Sequence, residues 1–414
     1  MRILFLFLVV VAPVHICAQS APPLSVEDTV TQAIRNNPRL SAAARDVVAA
    51  RSGLRSARSL ANPEIVFTPA LQVGGTDQEL LIRQPLEING TRAARTGVAA
   101  AQTRRAQAQA VVELRTLVFE TKSAYYDLGR AQERAALARE SLRFAEEFDR
   151  IARQQVELGA RPGIEVTQTE IEVARARQQV TLADSVVAAA TAALNTRMGR
   201  LSDTPIGAVT LSIPALTVPE RESALRQALT ARAEITVEEA EADGFRQVAR
   251  FARADGLPDV APQFRAGSVI RRFSDSGVGI GITLPLIDYG SRRNRVRQAE
   301  ELARAQTDRI AAVRAQVRQE IEQALARLRA AGDVVRSYRT GVLEQSRLLL
   351  DASRIGFREG KTNIVAVLEA QRTFRAVQTE FANAQADYAL ALAELERATG
   401  AVPASLLPQP RRTK

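Results

Sequence analysis

The chain's one imidazole and one thiol, His15 and Cys17, both lie at the extreme start of its 414 residues. From Ala18 onward neither group occurs. That excludes Ser-His-Asp and Cys-His nucleophilic catalysis, zinc fingers, thiolate-held iron–sulfur clusters and structural disulfides. Carboxylate, guanidinium, hydroxyl and backbone remain for chemistry, and three constellations of residues stand out. Gly277-Val278-Gly279-Ile280-Gly281 has the glycine spacing of a nucleotide loop, but a dinucleotide site needs a helix directly after it and Pro285 stands ahead. Small residues along a strand account for it better. Asp149, with Arg150 and Arg153 close behind, interrupts an apolar stripe. It reads either as a gate ion pair or as a polar seam position. Tyr125-Tyr126 reads as helix packing. No paired carboxylates of the glycosidase kind emerge, so the chain reads as no enzyme and takes no cofactor.

Charge and composition narrow the class further. There are 56 basic and 46 acidic side chains, a net charge of +10, and only three of the bases are lysines, Lys122, Lys361 and Lys414. The arginines alternate with Glu along helical stretches, as on solvated coiled-coil flanks. They form no concentrated basic face, so nucleic acid is not an expected partner. The residues are 46% hydrophobic but only 4% aromatic, without Trp. Ala, Val and Leu make up most of that share, which suits long, closely packed helices.

The start of the chain reads as an address. Met1-Arg2 precedes a twelve-residue run, Ile3 to Val14, that is apolar apart from Pro13. The run is too short to span a bilayer, which takes ~20 residues. Residues 1–18 therefore read as a signal peptide cleaved after Ala18, and the protein as exported. Lipidation of Cys17 is the alternative. Ile16 stands where a lipidation signal carries a small residue, which favours plain cleavage.

The elements that must position any functional residue occur twice. Gly90 answers Gly290, Leu158-Gly159 answers Glu359-Gly360, Met198-Gly199 answers Thr399-Gly400, and Gln84-Pro85-Leu86 answers Leu284-Pro285-Leu286. A period near 200 is an internal duplication rather than a solenoid repeat. The first repeat is expected over 19–199, a linker over 200–218, the second repeat over 219–400, and a disordered Pro-rich tail over 401–414. Each repeat reads helix, β-hairpin, very long helix, turn, helix. The hairpins fall at about 64–88 and 259–287, where period-two alternation sets Ile65, Phe67, Leu71 and Val73 on one side of a first strand, then picks out Leu80, Ile82, Leu86 and Ile88, and in the second repeat Val260, Phe264 and Ile270, then Val278, Ile280, Ile282, Leu284 and Leu286. The first helix is expected from Val26 to Leu60. The long helices are expected over about 91–158 and 291–356, and the last ones over about 164–197 and 364–398. Steps of 3 and 4 give the first long helix a stripe of Leu114, Leu117, Thr121, Ala124, Leu128 and onward through Asp149 to Val156. Adding 200 gives Val317, Ile321, Ala324, Leu328, Ala331, Val335, Tyr338, Val342, Gln345, Leu349, Ala352 and Gly356. A seven-residue repeat sustained this far argues supercoiled helices.

The fold class expected is mainly α with a small β part. Four strands cannot close a membrane barrel, and an open sheet in lipid leaves unsatisfied edges. Strands shared among three chains would number twelve, continuing into a cylinder of helices about 100 Å long. A periplasmic coiled-coil structural protein with a small soluble sheet is the competing architecture.

Three stretches carry a resemblance: Asn62-Pro63-Glu64; Gln84-Pro85-Leu86-Glu87-Ile88-Asn89-Gly90-Thr91-Arg92-Ala93-Ala94-Arg95; and Gly360-Lys361-Thr362-Asn363-Ile364-Val365-Ala366-Val367-Leu368-Glu369-Ala370-Gln371-Arg372. Together with the duplication they resemble the outer-membrane efflux protein family, the TolC-like channels of tripartite pumps. The second stretch is similar to channels of heavy-metal pumps. The resemblance implies a homotrimer with a twelve-stranded barrel in outer-membrane lipid and a helical tunnel into the periplasm. It implies a periplasmic adaptor and an inner-membrane pump of the proton-driven RND type as partners, in a Gram-negative cell. Drug or small-organic efflux is the alternative to metal cargo. It marks Gly159, Arg161 and Gly163, and Gly360, Lys361 and Thr362, as adaptor-contacting tip turns. The family narrows its pore with carboxylates just past each turn. Here Glu165 and Glu369 occupy such positions and Asp149 is a third candidate, whereas Ala366 and Gln168 depart from the acidic pattern. Adaptor, pump and cargo are implied by the resemblance alone.

Overall fold

The computed structural model describes residues 24–68, 79–159, 162–211, 216–267, 275–285 and 288–400. In chain order these hold α1 (Val26–Asn36), α2 (Pro38–Arg58), β1 (Glu64–Thr68), β2 (Glu79–Arg83), α3 (Thr91–Glu157), α4 (Ile164–Arg197), α5 (Arg221–Ala231), α6 (Ala233–Ala254), β3 (Asp259–Gly267), β4 (Asp275–Thr283), α7 (Ser291–Ser337), a π-turn (Tyr338–Val342), α8 (Leu343–Arg358) and α9 (Ile364–Thr399). Among the described residues no helix is long and apolar enough to cross a membrane.

The helix expected over Val26–Leu60 is broken. Asn37 ends α1 and caps α2, its Oδ1 accepting from the Arg39 N–H at 2.9 Å, with Pro38 in the first turn. Proline lacks the N–H that a continuous helix needs but fits a first turn, so the chain restarts there. The second repeat breaks in the matching place, at Arg232 between α5 and α6. Arg232 is buried and pairs with Glu234 at 2.9 Å and Glu320 at 2.8 Å. Desolvation would lower its pKa, yet these carboxylates raise it above the ordinary arginine value.

The second long helix is also interrupted. Leu343 N–H reaches back to the Tyr338 carbonyl, five residues away. Up to this π-turn the buried stripe runs as the sequence phase demands, through Val317, Ile321, Ala324, Leu328 and Val335. Beyond it the stripe shifts by one residue. Ser346, Leu350 and Phe357 are buried, while Gln345, Leu349 and Ala352 are exposed. A π-turn adds one residue to a helix without ending it. That residue is also why Gly290 follows Gly90 by 200 but Gly360 follows Gly159 by 201.

Packing arranges the elements in rows. The sheet is antiparallel in the order β1-β2-β3-β4, so β1 and β4 are both edges. Below it α2 packs on α3, α3 on α6 and α6 on α7. At the other end of the shaft α4 packs on α3, α3 on α9 and α9 on α8. One core joins α5, α6, α7 and α9 around Ile321, Leu328 and Tyr388. A second gathers Tyr125, Tyr126, Leu128, Leu194 and Met198 under the 200–211 linker. The two tyrosines pack edge to face at 5.5 Å, and the Tyr125 hydroxyl donates to the Leu24 carbonyl at 2.8 Å. Burial pushes the Tyr126 phenol up to about 12. The pair is structural packing.

Candidate functional site

Two places combine special backbone with converging side chains: the pair of hairpin tips and the sheet. At the first tip Gly159 adopts φ 71°, donating to the Val156 carbonyl at 2.9 Å, and Leu158 beside it is exposed. At the second, Gly360 adopts φ 73° and donates to the Phe357 carbonyl at 3.1 Å. Glycine takes this left-handed conformation without the clash a Cβ would bring, so a long helix can stop and reverse here. Asn363 then caps α9, its Oδ1 accepting from the Ala366 N–H at 3.0 Å. Thr362 is partly buried and lies against Gly356, whereas Lys361 is exposed and pairs with Glu359 at 2.6 Å. Gly163 precedes α4 without a side-chain cap. Arg161 lies outside the described residues.

The three acidic candidates sit in different surroundings. Glu165 is half-buried in the first turn of α4, where the helix N-terminus favours negative charge. Glu369 is exposed in the second turn of α9 and pairs with Arg372 at 2.8 Å. Arg372 also pairs with Glu172 of α4, and that hydrogen bond leads in raising its pKa. Glu369 and Arg372 face Gln168 and Glu172 across an open groove of about 250 Å³ between α4 and α9. Asp149 accepts from Arg153 Nε at 2.8 Å and from the Thr169 hydroxyl at 2.8 Å. Burial alone would raise its pKa, but these donors and the Arg153 charge hold it below the ordinary carboxylate value. Arg153 continues to Glu170 at 2.5 Å, while Arg150 is exposed. Asp149 thus belongs to the α3–α4 seam, and Glu369 to the groove between hairpins.

Sequence reasoning missed what joins the hairpins. Phe144 and Phe148 of α3 stack at 4.4 Å, and Phe148 meets Phe357 of α8 at 6.1 Å. Ala152, Ile364 and Val367 complete this cluster, and Arg354 lies 4.9 Å from the Phe144 ring centre. Arg375 bridges Ser141 of α3 at 3.1 Å and Gln179 of α4. The one available signal was the Phe144/Phe148 spacing of four, one helical turn.

The sheet separates its chemistry by face. Register pairs Ile65 with Ile82, Ile82 with Phe264 and Phe264 with Val278, so these share a face with Phe67, Leu80, Ile280 and Ile282. On the opposite face Glu64 pairs with Arg83 at 2.5 Å and Arg265 with Glu79 at 2.7 Å, with the apolar cross-strand pair Val66 and Leu81 between them. Gln263 shares that face and lies over Gly279 and Gly281, where a Cβ on Gly281 would stand 2.8 Å from its Oε1. The glycine-rich run is therefore strand β4. Val278, Ile280 and Ile282 are exposed on one side of it, and glycines that leave room for Gln263 lie on the other.

A family model described as outer membrane efflux protein matches residues 29–200 and 224–401. The chain is 26% identical over 364 residues to the cobalt-zinc-cadmium resistance protein CzcC of Cupriavidus metallidurans, covering 86% of this chain and 85% of that one. It is 28% identical over 323 residues to the nickel-cobalt-cadmium resistance protein NccC of Alcaligenes xylosoxydans xylosoxydans, covering 74% and 70%. Among solved structures it is similar to CusC, with a TM-score of 0.78 at 17% identity, covering 93% of this chain and 95% of that one. It is also similar to the outer membrane protein VceC of Vibrio cholerae, with a TM-score of 0.75 at 17% identity, covering 91% and 96%.

Proposed function

The chain belongs to the outer membrane efflux protein family, and from that premise we propose that three copies close into one duct exporting heavy-metal cations. It is a non-enzymatic channel of the Gram-negative outer membrane that extends into the periplasm and serves a tripartite export system with an adaptor and an inner-membrane pump. The observation that carries the trimeric duct is the sheet. Its apolar face suits lipid, its ion-paired face suits a water-filled lumen, and its edge strands β1 and β4 each have one neighbour within the chain. An edge in lipid leaves backbone groups unsatisfied, so the edges must meet between copies. Four strands from each of three copies make twelve, within the range of closed membrane barrels.

The cargo reading draws on the metal-resistance relatives CzcC and NccC. An RND-type pump is the proposed energy source and outer-membrane lipid the proposed surround of the barrel. The two tip turns, around Gly159 to Gly163 and Gly360 to Thr362, are the proposed adaptor contacts. Glu165 and Glu369, each repeated threefold, are the proposed cation-favouring rings, with Asp149 holding the hairpin that carries Glu165. The test is deletion of the gene followed by survival on zinc, cobalt, cadmium, copper and a drug panel. Metal duty predicts sensitivity to divalent cations alone, restored by the intact gene. Sensitivity to drugs alone supports the organic-efflux alternative.

A further inference from the structure

We propose that an arginine collar on the outer wall of the shaft, directly below the sheet, binds the headgroup phosphates of anionic phospholipids in the periplasmic leaflet. This rests on the apolar face of the sheet lying in lipid. The collar is built twice. Arg51, Arg55 and Arg58 of α2 recur 195 residues later as Arg246, Arg250 and Arg253 of α6. Spacings of four and three place each set on one stripe of its helix. Arg253 pairs with Glu300 of α7. Arg293 and Arg297 stand seven and three residues before Glu300, so α7 adds them to the same side.

The stripes lie on the wall that continues the apolar face of the sheet. At ~100° per residue, Arg51, Arg55 and Arg58 lie about half a turn around α2 from Gly53 and Ser56. Arg246, Arg250 and Arg253 lie about half a turn around α6 from Val248 and Phe251. Gly53, Ser56, Val248 and Phe251 line one groove across α2, α3 and α6, together with Arg95. Phe251 and Arg95 also line the hollow at the top of the shaft, with Glu64 and Arg83 of the ion-paired sheet face. The groove therefore continues the ion-paired face, and the arginines stand on the other wall. Their level is set as well. Arg92 Nε of α3 donates to the Arg58 carbonyl at 2.9 Å, and β1 begins six residues after Arg58, at Glu64. From Arg58 to Arg51 the helix descends about 10 Å. Strands β3 and β4, nine residues each, rise about 23 Å at a ~40° tilt, close to the ~25 Å apolar band of a membrane barrel. The band ends where the helices begin, so the headgroups of that leaflet lie against the collar.

Charge names the occupant. Arg246 is matched by Asp243 at 2.5 Å and Arg253 by Glu300. Arg51, Arg55, Arg58, Arg250, Arg293 and Arg297 are exposed, and among the described residues none of the six has a carboxylate within 4 Å. Unmatched arginines lower on the shaft do not recur: Arg143, Arg318 and Arg329 are answered in the other repeat by Leu343, Val118 and Gly129. Most arginines there are paired, as Arg314 with Glu239 at 2.9 Å and Arg327 with Glu394 at 2.7 Å. Guanidinium is weakly hydrated and hydrogen-bonds phosphate in a fork. Each basic residue near an anionic membrane surface strengthens attachment by a factor of about 5. A phospholipid of net negative charge is the anion present at this level, and the recurring unmatched arginines are its complement.

The experiment inserts the full-length protein into nanodiscs of equal phosphatidylglycerol and phosphatidylcholine. The protein is then moved to detergent, and the phospholipids it retains are counted by native mass spectrometry. The native protein should keep phosphatidylglycerol at least about tenfold over phosphatidylcholine. R51Q/R55Q/R58Q should cut that ratio at least about fivefold, whereas R51K/R55K/R58K, which keeps the charge, should cut it less than about threefold. R143Q/R318Q/R329Q removes as much charge lower on the shaft and should leave the ratio within about twofold of native. Equal retention of the two lipids by the native protein, an unchanged ratio in R51Q/R55Q/R58Q, or an equal loss in R143Q/R318Q/R329Q overturns the proposal alone. A native protein that does not enter the nanodisc overturns the lipid-facing sheet and the proposal together.

Discussion

The polar face of the sheet carries Glu64–Arg83 and Glu79–Arg265, two pairs whose charges cancel. The double variant R83Q/R265Q leaves two carboxylates per copy uncompensated, hence two rings of three in a trimeric barrel. Twelve strands ~4.8 Å apart and tilted ~40° give a circumference of about 75 Å and a backbone radius of about 12 Å. Side chains reach inward, so the charges stand roughly 10 Å from the axis. There one carboxylate attracts a monovalent cation by about 0.4 kcal/mol in water, and three by about 1.2 kcal/mol. Screening over a Debye length of ~10 Å at 0.1 M salt reduces this to about 0.45 kcal/mol. That is a factor of about 2 in favour of cations and about 2 against anions. The assay is the rate at which a cysteine at position 263, on the same face, reacts with a cationic and with an anionic thiol reagent. R83Q/R265Q should raise the cation-to-anion rate ratio at least about fourfold at 0.1 M salt. At 1 M, where the Debye length is ~3 Å, the gain should vanish. An unchanged ratio at low salt, or a change that persists at high salt, would refute the assignment of this face to a water-filled lumen.

Other expectations concern the shaft. Gly199→Ala places a Cβ 2.7 Å from the Asn36 carbonyl oxygen at φ 68°, whereas Gly159→Ala at φ 71° meets nothing within 4 Å. Thermal unfolding should therefore show Gly199→Ala losing roughly 2–5 kcal/mol, strain and overpacking together, against roughly 1–2 for Gly159→Ala; equal losses would contradict this. Phe148→Ala removes the ring that links Phe144 to Phe357 and should cost about 3 kcal/mol, loosening the two hairpins. Limited trypsin digestion should then cut α8 and α9 faster than in the native protein, and an unchanged rate counts against the cluster as the link. Because the folded pKa of Asp149 is depressed, its stabilisation is fully present above the unfolded value near ~3.9 and is lost as pH falls through the folded one. Asp149→Asn should accordingly be less stable at neutral pH and converge with the native protein below about pH 4; a gap that widens on acidification would reverse the sign.

Much of this architecture was legible because it is periodic. Alternation gave each strand an apolar side, with Ile65 beside Phe67, Leu80 beside Ile82 and Val278 beside Ile280, and only the register showed that Ile65, Ile82, Phe264 and Val278 share one face across four strands. Helix reversal at Gly159 and Gly360 followed from glycine after a heptad run. Seam phase failed where local pattern could not locate the event. Leu349 and Leu350 are both apolar, so nothing in the sequence says which one faces α9; only the change of offset from 200 to 201 recorded the added residue. The break at Asn37 departs from the single helix expected over Val26–Leu60 because Pro38 has no N–H to continue the ladder and Asn37 caps the helix that restarts there. Contacts such as Glu172 with Arg372 are set by the packing of two hairpins, which sequence spacing within either hairpin does not encode.

In the proposed barrel of three copies Gln263 lies inside and Phe264 outside, and the channel conducts. In a Cys17→Ser background, Gln263→Cys channels in a planar bilayer should lose current in three discrete steps as a membrane-impermeant thiol reagent is added, one for each copy. Phe264→Cys, on the lipid-facing side, should conduct unchanged. Block through Phe264→Cys, a step count other than three, or no conductance from the native protein would rule out a three-copy conducting barrel of this orientation.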